Sequence, residues 1–564
     1  MWREGNYVRL FDLGVQGKMW RQIQTMGGSM RSKVRLTIGE TEWHDVKRGV
    51  AQGAAESPWL YSNFINGMVQ ELKSRGLGIM IGGIRVPLLM YADDIVMLAS
   101  SVTELREMNR IATQFAHQNR FRHNGAKSAV MMFNPDKRMR ERVEQEVWTL
   151  SGERVEVVDN YKYLGVDVLN NIMNWKVHVA RLIGKAKKRS RDLMWVCRKD
   201  EGLRPRSAMT LWKAMVRPIM EYAAELWAGE VSKEQMDEME GVQIDFAKAM
   251  LGLTRGGVSN DFVRAEAGLE TITARCEKLR LGYWRRIQVA SPERALSVIA
   301  RHRTEHVRWG VGKRGEWSWM KTTRKLLRER GMGDHWYDPT RCTEVPKEQW
   351  KDEVYQQVER WHDAERANRM RGLSSMQKYL GIKHWGETDA ERAEFKGEIG
   401  QRGALVFEKY LDDTGERLGS RLKLMCRGRF LPTMRRVSKE AGAGGFGSTC
   451  LMCENGETET IEHLMLKCPA YAVHRTRLID KIGEAYAMGT GRDIRGASEE
   501  EVMRVALGGR VGSSVAEDNI DHAVKRYLKR AWRTRRWLTK ITNEILDRHD
   551  VVEMRQGISD IFGS

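Results

Sequence analysis

Two adjacent carboxylates set inside an apolar run constrain this chain more than any other feature. In LLMYADDIVMLAS, residues 88–100, Asp93 and Asp94 interrupt what would otherwise read as one long buried strand. A strand, tight turn, strand hairpin keeps both apolar halves covered and carries the acids to its tip. Adjacent carboxylates repel each other, and burying them is costly unless cations neutralise them. A hairpin that presents both at its tip therefore predicts a divalent metal site. An ordinary polar turn uses the same residue types, so the neighbouring segments have to discriminate.

They do so by their order. Upstream stands RGVAQGAAESPWLYSNFINGM (48–68), with Arg48, Gly49, Val50, Gln52, Gly53, Ser57, Pro58, Phe64, Ile65 and Asn66; downstream stand FRHNGAKSAVMMF (121–133), with Asn124, Lys127 and Ser128, and YKYLGVDV (161–168). With the Tyr-Ala-Asp-Asp hairpin between them, these segments resemble, in order and spacing, the reverse transcriptases of non-long-terminal-repeat (LINE-like) retrotransposons. The resemblance is specific over residues 1–170 and looser beyond.

It implies an RNA-directed DNA polymerase acting by two-metal nucleotidyl transfer. Asp93 and Asp94 would hold Mg2+ or Mn2+, Asp93 being the firmer ligand, and Lys127 would meet the departing pyrophosphate. Arg48, Gly49, Gln52, Gly53, Tyr91 and Asn124 would bind template and nucleotide, and Tyr163, Leu164 and Gly165 would form the primer grip. The implied partners are an RNA template, a DNA primer or target, and dNTPs. Gly49 and Gly53 allow close backbone approach to a template or nucleotide, and Gln52 has the donor and acceptor needed at a base edge or backbone. One departure stands out: Ala54, Ala55 and Glu56 occupy positions where an acid, Pro and Leu are common, and an acid beside a triphosphate repels it unless it faces away.

The resemblance also implies a third aspartate on an earlier strand, shortly before a helix leading to positions like Leu13, Gly14 and Trp20. The opening MWREGNYVRLFDLGVQGKMW reads as that following helix, which puts the strand upstream of Met1. Asp12, at the helix's end, is a poor replacement. Impaired polymerase activity is expected, and the alternative is a non-catalytic, zinc-containing nucleic-acid-binding relic. With no nuclease signature visible, an endonuclease is expected to be supplied elsewhere.

A second constellation, CLMCENGETETIEHLMLKCPAY (450–471), places Cys450, Cys453, His463 and Cys468 two, nine and four residues apart. Three thiolates and one imidazole complete a tetrahedral zinc shell. A closed shell of this kind serves structure and leaves no position for catalysis. His474 is a competing ligand, though the pitch to Cys468 favours His463. The surrounding residues also resemble the zinc knuckle that follows the polymerase in these elements. Cys197, Cys276, Cys342 and Cys426 are widely spread and read as core thiols.

Lys and Arg total 95 against 75 Asp and Glu, a net charge of +20 and a pI near 9.6, which favours a polyanionic partner. Two basic segments, RLIGKAKKRSR (181–191) and KRYLKRAWRTRRW (525–537), are expected to track phosphates, the second with Tyr527, Trp532 and Trp537 interleaved for stacking. The most hydrophobic window, 79–99, is broken by Arg85, Pro87, Asp93 and Asp94, so no membrane span is expected. A charged N-terminus lacks the apolar core of a signal peptide, and seven cysteines in a long chain fit a reducing compartment. A nuclear or cytoplasmic protein is expected.

The fold class that follows is α+β, a partial palm of antiparallel sheet with helices followed by a largely helical remainder. The expected divisions are a fingers and palm part at 1–170, a helical thumb-like part at 171–287, a Trp-rich helical connection at 288–440, a glycine linker with the zinc knuckle at 441–475, and a basic helical end at 476–564.

Overall fold

The computed structural model describes residues 1–28, 30–170, 174–198, 202–253, 258–308, 318–383, 405, 407–413, 415–441, 447–453 and 455–546. The expected side-chain positions of Cys342 and Trp537, and residues 442–446 of the glycine linker, lie outside the described residues.

The first 170 residues mix helices and hairpins. Helix α1 (Arg3–Asp12) buries Asn6 and Leu10, and α2 (Gly17–Gly28) follows it. In α3 (Ser57–Ser74), Pro58 occupies the first turn, where its missing N–H has no helical partner to lose. Its Phe64, Ile65, Met68 and Leu72 recur at helical spacing and are buried. Ser101 caps α4 (Val102–Gln118) by accepting from the Glu104 amide, and the Glu104 carboxylate accepts in return from the amides of Ser100 and Gly78. Together α3 and α4 cover a core that contains Leu88, Met108, Ile111, Phe115 and Trp148.

Strands among the described residues pair only two by two, in six antiparallel ladders and one parallel one. The expected antiparallel sheet thus takes the form of separate small ladders. Pro87 divides β1 and β2 (Ile79–Ile81 and Ile84–Val86) from β3 and β4 (Leu88–Tyr91 and Asp94–Met97); without an N–H it cannot donate to a ladder. A further hairpin is formed by β5 (Asn160–Tyr163) and β6 (Val166–Leu169).

From there the chain is helical. Helices α5 (Lys176–Arg198), α6 (Pro205–Met215), α7 (Lys233–Met250), α8 (Asn260–Ala267) and α9 (Ile272–Gln288) enclose Leu182, Trp212, Trp227, Phe246 and Phe262, a core that also takes in Tyr379, Tyr410 and Leu424. The Trp-rich stretch supplies a core of its own, in which Trp284 of α9 stacks on Trp336 at 5.0 Å and Trp350 of α10 (Lys347–Arg371) is buried alongside. The last core joins α11 (Arg417–Arg427), α12 (Ala472–Thr490) and α13 (Ser514–Leu546) to Cys450, Ile461, Leu464 and Cys468. Cys197, Cys276 and Cys426 are buried free thiols, as expected.

Glu266 of α8 bridges two of these cores. Fully buried, it accepts from the hydroxyls of Tyr379 (2.7 Å) and Tyr410 (2.5 Å) and pairs with Arg427 of α11 at 2.8 Å. Arg427 also donates to the carbonyl of Leu507, so one guanidinium touches both bodies of packing.

Candidate functional site

The β3–β4 register pairs Tyr91 with Asp94, leaving Ala92 and Asp93 as the two-residue turn. Ala92 has φ +51°, the left-handed conformation that tight hairpin turns need at their first position. Leu88 anchors the hairpin in the core while Tyr91, Asp93 and Asp94 stand exposed at the tip. Tyr61 of α3 lies in the field of Asp93: burial first, then that charge, raises its phenol pKa. Tyr163 of β5 lies in the field of Asp94 in the same way. Three segments far apart in sequence therefore converge on one acidic tip. A short, exposed pair of carboxylates suits magnesium, which keeps waters and substrate oxygens for most of its coordination sphere. Among the described residues no third acid joins the pair, and Asp12 is the last residue of α1, exposed.

The loop preceding α3 is shaped from beneath by Arg3. Its buried guanidinium donates to the carbonyls of Gly27 (2.6 Å), Val46 (2.5 Å) and Gly49 (2.9 Å) and reaches that of Arg48. Gly49 and Gly53 have φ of +90° and +86°, where a side chain would be strained. Arg48 and Gln52 are exposed. Glu56 immediately precedes α3, a position where the helix dipole favours an acid; that local gain is a structural reason for the departure at this position. Asn124 accepts from the Lys127 amide at 3.1 Å, capping a short turn, while Lys127 itself is exposed. Tyr161 donates to the Lys127 carbonyl at 2.6 Å and so ties that turn to the 160–169 hairpin.

Residues 2–168 match the family model described as Reverse transcriptase (RNA-dependent DNA polymerase). The chain carries a reverse transcriptase domain. A domain of this kind works on a nucleic-acid template and primer with dNTPs, and its chemistry generally uses divalent metal. The matched span ends inside β6, shortly before the helices begin. Leu164 and Gly165 form the β5–β6 turn with φ of +47° and +80°, a two-residue turn of the kind whose twist suits flanking antiparallel strands. Tyr222 donates to the Leu164 carbonyl at 2.6 Å, and Arg181 of α5 donates to that of Gly165 at 2.5 Å.

Below the turn, Asp167 is held by Arg181 at 2.5 Å and His178 at 3.2 Å. Burial pushes the Asp167 carboxyl up, but its hydrogen bonds to Arg181 and His178 pull it below the ordinary range. Burial likewise dominates at His178 and lowers its pKa. A folded pKa below the unfolded value of about 6.5 gives stability that is complete above that value and is lost as pH falls through the folded pKa. Lowering pH from about 7.5 to about 5.5 should therefore reduce the protection of the Asp167 amide, measured by hydrogen exchange corrected for intrinsic rates. Unchanged protection would remove His178 from the joint.

At the other end of the chain, Cys450, Cys453, His463 and Cys468 offer ligand atoms that all lie within 4.8 Å of one another. Cys450 Sγ and Cys468 Sγ are 3.9 Å apart, and Cys453 Sγ lies 3.5 Å from His463 Nε2. Tetrahedral zinc with ordinary bond lengths requires edges of about 3.8 Å between sulfurs and about 3.6 Å between sulfur and nitrogen, so the donor set fits that ion. Glu457 contacts His463 Nδ1 at 2.8 Å, the kind of carboxylate contact that fixes a ligand imidazole's tautomer and aims its other nitrogen. A bridge pairing Thr449 with Thr458 brings Cys450 and Cys453 round, and His463 opens a single turn of π-helix ending before Cys468. His474 stands outside the group. Burial pushes the Cys450 thiol up to about 12 and raises that of Cys468.

The basic segments divide by what their charges touch. In α5, Arg181 and Lys187 are paired, with Asp167 and Glu238, whereas Lys185, Lys188, Arg189 and Arg191 are exposed. In α13, Tyr527 and Trp532 are buried at 3% and 7% exposure, and Tyr527 donates to the Leu464 carbonyl at 2.6 Å. The expected stacking role for these two aromatics is corrected: they are core residues beside the cysteine cluster. Arg3, Tyr222 and the Glu266–Arg427 pair carry structural weight that sequence reasoning missed, since their partners lie 46, 58 and 161 residues away. Among the described residues no helix is long and apolar enough to cross a membrane.

Proposed function

We propose that this chain is the polymerase-bearing part of a non-long-terminal-repeat retrotransposon protein, with the β3–β4 tip as its nucleotidyl-transfer site and a structural zinc ion on Cys450, Cys453, His463 and Cys468. The observation that carries the reading is the convergence of Tyr61, the Asp93–Asp94 tip and Tyr163, which brings the nucleotide segment and the primer-grip hairpin to one pair of carboxylates. Asp93 and Asp94 hold the divalent ions, which supply charge that activates the primer hydroxyl and neutralises the departing pyrophosphate. Gly49, Gln52 and Gly53 with Arg48 line the approach for template and nucleotide, beside Tyr91. Asn124 holds the turn that presents Lys127 toward pyrophosphate. Tyr163, Leu164 and Gly165 steady the primer end, and Tyr222 and Arg181 brace their turn from the helical side. An endonuclease acts from elsewhere.

A second reading is favoured by one specific observation, namely that both converging acids lie on a single hairpin. Two-metal sites hold ions roughly 3.5–4 Å apart and need acids that bridge them. With both carboxylates on one hairpin, the 564-residue chain is a weak polymerase or a nucleic-acid-binding relic. Loss of one preorganised charge-stabilising group typically costs about 100-fold to 1,000-fold in rate. Primer extension on an RNA template with Mg2+ or Mn2+ should therefore be slow, at least about 100-fold below that of a complete two-metal enzyme, and Asp93→Ala should remove what remains. Vigorous extension that depends on Asp93 would show that a further ligand exists within this sequence. Template–primer binding with no extension in either protein would support the relic.

A further inference from the structure

The basic end of α13 carries two classes of cation. Lys525 is held by Asp413 at 2.5 Å and Asp521 at 2.6 Å, Lys529 by Glu416 at 2.9 Å, and Arg535 by Glu459 at 2.9 Å through both nitrogens. These charges are consumed by the fold. Arg526, Arg530 and Arg533 are exposed, and their guanidinium groups make no ion pair or hydrogen bond among the described residues. Their spacing, four and then three residues, places them on one face of the helix, with His522 exposed one turn before. No Asp or Glu occurs between Asp521 and Glu544, so nothing on the helix itself neutralises that face.

The helix presenting them is rigidly seated. Tyr527 and Leu528 are buried in the core that contains the cysteine cluster, Tyr527 bonds the Leu464 carbonyl, and Arg535 reaches Glu459, whose carboxylate also accepts from the Met434 amide at 2.6 Å. Three guanidinium groups on a fixed rod span seven residues, about 10 Å of helix. That length matches the rise of about three phosphates of one strand along a duplex axis, at about 3.4 Å each. We propose that Arg526, Arg530 and Arg533 form a docking face for the phosphate backbone of a nucleic acid, separate from the β3–β4 tip and held in position by the fold around Cys450, Cys453, His463 and Cys468. The inference rests on the reading of the chain as a nucleic-acid polymerase relative. It assigns to the far end of the chain a grip that positions substrate without reading its sequence, because guanidinium contacts to phosphates carry no base information.

The test uses the full chain, a mixed-sequence DNA duplex and the corresponding single-stranded RNA, with binding followed by fluorescence anisotropy over a salt series. The triple variant Arg526→Ala, Arg530→Ala, Arg533→Ala should bind the duplex at least tenfold more weakly at low salt. Its log–log salt slope should be shallower by about 2 to 3, since each phosphate neutralised contributes about 0.9. The triple Arg→Lys variant should keep most of the affinity, because lysine also binds phosphate as a point charge. Helix content and zinc stoichiometry should match the wild type in both variants, as expected for exposed, unpaired side chains. Unchanged affinity and slope in the alanine variant, for both probes, would overturn the proposal while leaving the polymerase reading in place. So would a loss confined to anionic vesicles with oligonucleotide binding intact. Absence of oligonucleotide binding by the wild type would instead overturn the functional reading on which it rests.

Discussion

Removing the zinc ion proposed for the cysteine cluster should unfold the segment around it. Three thiols and an imidazole are brought within 4.8 Å of one another, and burial leaves Cys450 with a pKa near 12. Without an ion the buried Cys450 and Cys468 thiols therefore hold their protons, and loading the site expels them, which makes affinity fall as pH is lowered. Structural zinc sites contribute about 10–16 kcal/mol of apparent binding energy at neutral pH, and that energy is folding energy where no site exists in the unfolded chain. Here part of the surrounding core is independently apolar, with Leu478, Ile482, Val524 and Leu528 packed together, so α12 and α13 should stay helical while the 447–471 segment melts. Protein prepared with zinc should carry about one equivalent, and Cys450→Ser less than about half of that. Chelation should expose the amides of Cys450, Glu459 and Cys468, which are bonded to Glu457, Ser448 and His463 carbonyls, to rapid hydrogen exchange. Full zinc retention by Cys450→Ser, or unaltered exchange after chelation, would remove the ion from the structure's support.

The two constellations were legible in the sequence for a shared reason, which is that each is local. An acid pair inside an apolar run can only be a turn, and the turn fell at Ala92–Asp93; Leu164-Gly165 between alternating residues made the second hairpin. The Cys and His spacing encoded its own convergence. What stayed hidden depends on distant partners. Nothing near Arg3 announces that it will gather carbonyls from residues 27 to 49, and Pro87 splitting the hairpins shows only once the ladders are seen. Tyr527 and Trp532 sit among cations in the sequence, and charge alone does not reveal that they belong to a buried stripe. Val524, Tyr527, Leu528, Ala531 and Trp532 follow helical core spacing, and that stripe was already the signal that the segment's apolar face is buried.

Replacing Glu266 should be among the most destabilising single changes available in this chain. The carboxylate is fully buried, as is its partner Arg427 at 2% exposure. Burial opposes the charge on Arg427, but Glu266 and then Glu408 hold its pKa well above the ordinary value, and a guanidinium is not deprotonated in proteins even when a partner is lost. Burial, with Glu266 alongside, also keeps the phenols of Tyr379 and Tyr410 protonated, and both hydroxyls aim at that one carboxylate. Glu266→Ala would strand a buried cation and two buried donors at once. Breaking a buried pair from one side typically costs about 3–5 kcal/mol, whereas replacing both partners with apolar groups of similar volume is often neutral. Glu408, more exposed and 3.4 Å from Arg427, compensates only in part. In a chain with several cores the unfolding is not a single transition. The loss should therefore appear locally, as faster hydrogen exchange at the amides of Glu408 and Gly428, which are bonded to Glu266 and Leu424 carbonyls. A Glu266→Leu, Arg427→Met double variant should recover the part lost to the stranded cation, while the Tyr379 and Tyr410 hydroxyls still lack their acceptor. Equal damage in the single and double variants would mean that the pair is needed for more than charge balance, and an undamaged single variant would mean that water or Glu408 already satisfies Arg427.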